Sequence, residues 1–158
     1  MGNIFAGSEV VEIGIQIEKN GRDFYATLAK QSKNLTAVEI FKFLAGEEEK
    51  HIKAFQGILD KTDKYESLGL DADQYYAYMN ALASEYVFTQ KDKGEEIAKT
   101  VKSDKEAIEM GIGFEKDSIV FYTGIKKVVP AYDQKIIDEL IVQEQSHLRQ
   151  LLELKKKI

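Results

Sequence analysis

The stretch FLAGEEEKHIKAF, residues 43–55, decides how this chain folds. Apolar residues recur at helical spacing through and around it, so that Phe41, Leu44, Ala45, Ile52, Phe55, Ile58 and Leu59 share one face. Glu48 and His51 fall on the same stripe, where a core helix ordinarily carries leucine or valine. A helix that turns this face inward therefore buries a carboxylate and an imidazole one turn apart. Something else inside the protein has to account for them.

Composition narrows the setting. The chain has 158 residues and suits one domain, 1–158. It has a formal net charge of −5, which argues against nucleic-acid binding through a basic surface. No apolar run approaches the roughly 20 residues of a membrane helix, and no secretory signal is visible. The start MGNIFA departs from a myristoylation site at Ala6. Without cysteine there is no disulfide, no thiolate nucleophile and no cysteine-ligated metal, and a reducing cytoplasm is the expected compartment. A single proline and the lack of alternating patterns predict an all-helical chain, with helices near 8–32, 36–60, 71–88, 104–127 and 131–156. Thr36–Glu39 and Ser103–Glu106 fit the capping box, Asp71–Gln74 is a weaker version, and Pro130 suits the start of the last helix. Residues 89–103 read as a polar linker with a short helical turn.

The chain then repeats itself. IQIEKNGRDFY (15–25) parallels IGFEKDSIVFY (112–122), and EEKHIKAF (48–55) parallels EQSHLRQL (144–151). The pattern implies two helical hairpins, 8–60 and 104–156, joined by a crossover, 61–103, that carries its own helix. Glu18 and Glu48 stand nearly equidistant from the first turn, and Glu115 and Glu144 from the second. At 1.5 Å per residue all four lie roughly 21–24 Å from their turns, level with one another at mid-bundle. Each sits on its helix's apolar stripe. Four buried carboxylates repel one another and cost several kcal/mol apiece unless compensated. Two divalent cations cancel their charge, and two neutral imidazoles add donors without adding charge. Glu48 with His51, and Glu144 with His147, stand three residues apart on one face, the spacing with which a helix grips a cation. Oxygen and nitrogen donors suit two iron ions, with manganese or zinc as alternatives.

With Glu18, Glu48-x-x-His51, Glu115 and Glu144-x-x-His147 in place, the chain resembles the rubrerythrin-like proteins of the ferritin-like di-iron carboxylate superfamily. The resemblance implies a ferritin-like four-helix bundle in which Glu48 and Glu144 bridge two metals. Glu18 and Glu115 would be terminal ligands, and His51 and His147 would each complete one metal's shell. Tyr25 and Tyr122, seven residues after Glu18 and Glu115, would hydrogen-bond a ligand carboxylate or bound oxygen species, or else be core aromatics. The implied activity is reaction of the iron pair with hydrogen peroxide or dioxygen, using an external electron donor. Iron binding, ferroxidase activity or storage is the alternative, and a helical interaction module with a structural metal a third. Three features depart from the family pattern: there is no cysteine for a rubredoxin iron, Ser118 stands where rubrerythrins carry a second third-helix glutamate, and the crossover, 61–103, is long and carries an extra helix.

The remaining readings are expectations about surroundings. Glu47 and Glu49 read as solvated charges, and Glu85 as a surface or capping residue rather than an additional ligand. The YYAYM cluster (75–79) reads as packing on the bundle or on another subunit, and the long crossover is compatible with a homodimer. Gly14, Gly21, Gly111 and Gly113 either leave room beside the metals for the oxidant or permit close helix contact.

Overall fold

The computed structural model describes residues 7–60 and 72–158. Among them are six α-helices and no strand: α1 (Gly7–Gln31), α2 (Leu35–Leu59), α3 (Ala72–Glu85), α4 (Gly94–Thr100), α5 (Asp104–Ile125) and α6 (Ala131–Lys157). The pairs α1–α2 and α5–α6 form the two hairpins, which meet through α2 against α6 and α1 against α5. The first part of the expected crossover, and Asp71 of the weaker capping box, lie outside the described residues.

Capping chemistry sets the helix starts, with one correction. The α2 N-cap is Asn34 rather than Thr36, because the Asn34 side-chain carbonyl accepts the Ala37 N–H at 3.0 Å. The carboxylate of Asp104 reaches this turn, accepting from Ser32 Oγ at 2.6 Å and from Asn34 N–H at 3.2 Å. The first hairpin's turn is thereby tied to the start of the second hairpin. Ser103 caps α5 by accepting the Glu106 N–H at 3.1 Å, and Glu106 reaches back to the Lys102 N–H at 3.1 Å. Pro130 is the N-cap of α6. At its other end α6 carries Lys155, Lys156 and Lys157 against the negative end of the helix dipole, and Lys155 also bridges to Glu109 of α5 at 2.6 Å.

The core is divided. One apolar cluster fills the end where α1 and α6 begin, with Val10, Val11, Phe55, Ile58, Phe121 and Ile125 fully buried. A second fills the opposite end, around Phe24, Phe41, Leu44, Ile108 and Leu151. Each such side chain contributes roughly 1.5–3 kcal/mol on burial, so both plugs are strong. Between them lies a polar layer.

Residues 72–103 of the crossover are more ordered than their composition suggests. α3 ends at Glu85 rather than near 88, and residues Val87–Thr89 continue as a 3₁₀ turn. Thr89 Oγ1 donates to the carbonyls of Ala83 and Tyr86, satisfying groups that a continuing helix would have used. Tyr76 and Met79 of α3 pack into the first apolar cluster, and the Tyr75 hydroxyl donates to the Gly124 carbonyl, so the YYAYM cluster covers α5. The expected linker 89–103 contains α4, whose Ala98 is fully buried and which lies along α1.

Asn20 holds that segment. It is fully buried on α1 and makes four hydrogen bonds: its amide donates to the Phe88 and Gln90 carbonyls at 2.6 and 2.5 Å, and its carbonyl accepts from Lys93 and Gly94 N–H at 2.9 and 3.1 Å. Gly94 lets the two backbones touch, since a Cβ there would stand 2.0 Å from the Asn20 carbonyl oxygen. Gly94→Ala must therefore push α4 away from α1. We expect it to lower stability by about 2–3 kcal/mol in chemical denaturation, whereas the open Gly57→Ala changes stability by less than about 1 kcal/mol. Equal effects at the two positions would mean that the α1–α4 contact is loose.

Candidate metal centre

The polar layer is built from one short segment of each long helix. α1 supplies Glu18, α2 Glu48 and His51, α5 Glu115, and α6 Glu144 and His147, all at most 4% exposed. The structure brings together all six residues that the sequence pattern selects. They form two overlapping sets of donor atoms lying within 4.8 Å of one another: Glu18, Glu48, His51 and Glu144 in one, and Glu48, Glu115, Glu144 and His147 in the other. Glu48 and Glu144 belong to both.

Distances show how tightly the groups converge. His51 Nδ1 lies 2.6 Å from Glu144 Oε1 and 3.4 Å from Glu18 Oε2. His147 Nδ1 lies 3.4 Å from Glu48 Oε1, 3.5 Å from Glu144 Oε2 and 3.8 Å from Glu115 Oε2. The two imidazoles stack nearly parallel, with ring centroids 5.4 Å apart. Each of the six residues nevertheless keeps a buried atom without a hydrogen-bond partner: Glu18 Oε2, Glu48 Oε1, His51 Nδ1, Glu115 Oε2, Glu144 Oε1 and His147 Nδ1. Even the 2.6 Å contact between His51 and Glu144 is not aligned as a hydrogen bond. Unsatisfied buried polar atoms cost about 1–3 kcal/mol each, and one in every member of a converging cluster is the signature of a cation site. The donor set fits two divalent metals.

The surrounding cations do not relieve the charge. Arg22 turns outward to Glu49 at 2.8 Å and Asp23 at 3.1 Å, and Lys116 is exposed. Without a metal, the cluster must hold protons. Burial first, and Glu144 next, raise the carboxyl of Glu18 above its ordinary range, and the same causes raise Glu48 and Glu115 well above it. Burial also opposes ionisation of Glu144, but the neighbouring Glu115 carboxyl and the imidazoles of His147 and His51 overcome it and keep that carboxylate ionised. For His51, burial works against the imidazolium, yet Glu144 and Glu18 lift it to about 11.

Both tyrosines reach across the bundle. The Tyr25 hydroxyl on α1 donates to Glu115 Oε1 on α5 at 2.7 Å, and the Tyr122 hydroxyl on α5 donates to Glu18 Oε1 on α1. Each hydrogen bond fixes one carboxylate oxygen and leaves the other facing the histidines. Burial, followed by the neighbouring carboxylates, pushes both phenols well above their ordinary range, so they remain donors.

Several neighbours differ from their sequence reading. Glu47 is not a solvated charge: its side chain is 17% exposed, and one of its carboxylate oxygens lies within 4.8 Å of nitrogens of His51 and His147. Glu49 is half-exposed and Glu85 exposed. The glycines make close contact rather than an oxidant cavity: a Cβ on Gly14 would meet Ile125 and Phe55 at 3.2 and 3.3 Å, and one on Gly111 would meet Leu151 at 3.2 Å. Gly21 alone faces the cluster, with Glu48 Oε2 at 3.4 Å from its Cβ position, and Gly113 points into open space. Gln143 was not singled out by the sequence pattern, yet its Oε1 lies 2.6 Å from His51 Nε2. That contact keeps a ring proton on Nε2, so the proton that a metal displaces is the one on Nδ1, which faces the carboxylates.

An all-helical bundle with two hairpins and a buried carboxylate–histidine layer is a ferritin-like architecture. Residues 9–155 match the Rubrerythrin family model, and the chain belongs to that family. Among solved structures, it is similar to a crystal structure from Thermotoga maritima described as a candidate ferritin-like diiron-carboxylate protein. That similarity has a TM-score of 0.69 at 27% identity, covering 99% of this chain and 98% of the other. Curated proteins give no match.

The pH dependence of the metal-depleted protein follows from these shifts. Glu18, Glu48 and Glu115 ionise more readily in the unfolded chain, so each destabilises the fold progressively as pH climbs past their ordinary value of 4.5. The His51 contribution is complete below 6.5 and disappears as pH rises toward about 11. Glu144 acts oppositely, contributing above 4.5 and losing that contribution on acidification, and so changes little above pH 5. The unfolding midpoint of chelator-treated protein should therefore fall by several degrees between about pH 5.5 and 9, and added Mn(II) should remove most of that fall while releasing protons into weak buffer. A midpoint that rises over this range would contradict the assigned protonation.

Proposed function

We propose that the cluster holds two iron ions, one by Glu18 and His51, the other by Glu115 and His147, with Glu48 and Glu144 shared between them. The observation that carries this reading is the pair of overlapping donor sets with an unpartnered atom on each of the six residues. Oxygen and nitrogen donors suit iron or manganese and also accept zinc. The physiological reaction on this reading is reduction of hydrogen peroxide or dioxygen, for which an iron pair supplies one electron from each metal.

The protein's own groups support such a role. Tyr25 and Tyr122 orient Glu115 and Glu18 and remain protonated. The apolar plugs above and below exclude water from the layer. A small pocket lined by Ile17, Tyr86, Phe88, Phe114, Asp117 and Ser118 adjoins the ligand-bearing segments of α1 and α5, but its volume of about 10 Å³ holds at most one water. A larger cleft of about 360 Å³, lined by Leu28, Gln31, Lys33 and residues 101–104, lies more than two helical turns from Glu18 and does not serve the centre. Ser118 is turned to the Phe114 carbonyl at 2.9 Å and offers no carboxylate to a metal. Residues 1–158 include no cysteine for a rubredoxin-type iron, and on this reading the centre takes its electrons from an external donor. No helix among the described residues is long and apolar enough to cross a membrane, and we place the protein in the cytoplasm, where reductants are plentiful.

Anaerobic loading with ferrous iron, followed by rapid mixing with peroxide or with dioxygen, tests the reaction. We expect one peroxide consumed per two ferrous ions oxidised, repeated cycles on re-reduction without loss of iron, and Glu48→Ala reacting no faster than ferrous iron in buffer. Iron that instead leaves the centre and accumulates as oxide within a large assembly would identify storage as the function.

A further inference from the structure

The two histidines have unlike outer partners. His51 Nε2 lies 2.6 Å from the amide oxygen of Gln143, the residue that immediately precedes Glu144 on α6. In the internal repeat Glu144 corresponds to Glu48 and His147 to His51, so the counterpart of Gln143 is the residue before Glu48, which is Glu47. The structure brings Glu47 toward that place without bringing it to hydrogen-bond distance of either imidazole. Glu47 is drawn inward to 17% exposure, and a carboxylate oxygen lies within 4.8 Å of nitrogens of both imidazoles, while its Oε1 is held by Lys50 Nζ at 2.8 Å. The Phe43 ring stands edge-on to His147, with centroids 6.2 Å apart, and fixes the plane of that imidazole.

We propose that Glu47 closes onto His147 as its outer hydrogen-bond acceptor when the centre is loaded, in the role that Gln143 already has toward His51, and that this carboxylate-for-amide difference makes the two metal positions unequal. Gln143 holds the ring proton of His51 on the outer nitrogen, and Glu47, on closing to hydrogen-bond distance, would do the same for His147; both leave Nδ1 facing inward. They differ in charge. A carboxylate draws the imidazole N–H proton toward itself, which increases electron density on the ring and strengthens its bond to a metal, whereas an amide orients the ring and adds little basicity. The position served by Glu115 and His147 is therefore the tighter one, although the repeat gives both positions the same ligand types. Glu47 is a positioning residue that acts through His147.

This inference rests on the dinuclear reading above, and a titration with Co(II) under anaerobic conditions separates the two. Wild type should bind two cobalt ions in two resolved steps. Glu47→Gln should weaken the tighter step by about 10-fold and leave the other within about two-fold, since changes to a ligand's outer partner typically cost 10–100-fold in affinity. Gln143→Glu should tighten the weaker step by a similar factor, and the double exchange, E47Q with Q143E, should restore the separation seen in wild type. The unfolding midpoints of the metal-depleted variants report whether any change is merely structural, and these should match wild type. Two cobalt ions bound with both steps unchanged in E47Q, or both weakened equally, would overturn the proposal. Loss of a third cobalt equivalent in E47Q would also overturn it, making Glu47 a direct ligand of a separate outer site. No cobalt bound to wild type would instead defeat the dinuclear reading itself.

Discussion

Four carboxylates share the middle of this bundle at 4% exposure or less, and the rest of the structure is arranged around that fact. A core of this size could be sealed by leucine and valine; here it is sealed at both ends and left polar between them. The apolar ends are what make the polar layer tolerable. They supply the burial energy that keeps four helices together while the layer costs stability, and they keep water from competing for the inward-facing oxygens and nitrogens. A cation reverses the sign of the layer's contribution, because the same converging charges that oppose folding alone attract a divalent metal strongly in a dry site.

The crossover contributes to the same end. Asn20 lies two residues beyond Glu18 and fastens the segment from Phe88 to Gly94 against α1 through four hydrogen bonds. Phe88, held by that fastening, stacks on Phe114 with ring centroids 3.7 Å apart and meets Phe24 edge to face. Phe114 and Phe24 immediately precede Glu115 and Tyr25, two groups that hydrogen-bond to each other. The aromatic contacts thus link the spacing of α1 and α5 to the carboxylate–tyrosine pair between them. On the opposite side, α2 and α6 approach through the stacked imidazoles, with Gln143 and Glu47 at their outer edges.

The helices and the six converging residues were legible in the sequence because both follow a period. Apolar spacing shows which face turns inward, and polar residues that intrude on that face twice, in the same register, stand out against it. What stayed hidden has no period. Asn20 sits in IEKNGRDF like any solvated residue, and its partners are backbone groups 68–74 positions away that no side-chain pattern marks. Gly94 is needed because of that same remote contact. Glu47 adjoins Glu48 and Glu49 in a run of three acids, so its direction depends on how closely α6 approaches α2. The α2 start moved from Thr36 to Asn34 because Asn34 itself accepts the Ala37 N–H, while Asp104 anchors the turn from a helix distant in sequence.

The central claim is that these six side chains converge on two metals, and diffraction from iron-loaded crystals at the iron absorption edge tests it most directly. Two anomalous peaks in the polar layer are predicted, one beside His51 Nδ1 and one beside His147 Nδ1, each about 2 Å from its nitrogen, with Glu48 and Glu144 contacting both. A single peak, peaks confined to the acidic surface, or ordered water bridging the six residues in iron-soaked crystals would contradict the account.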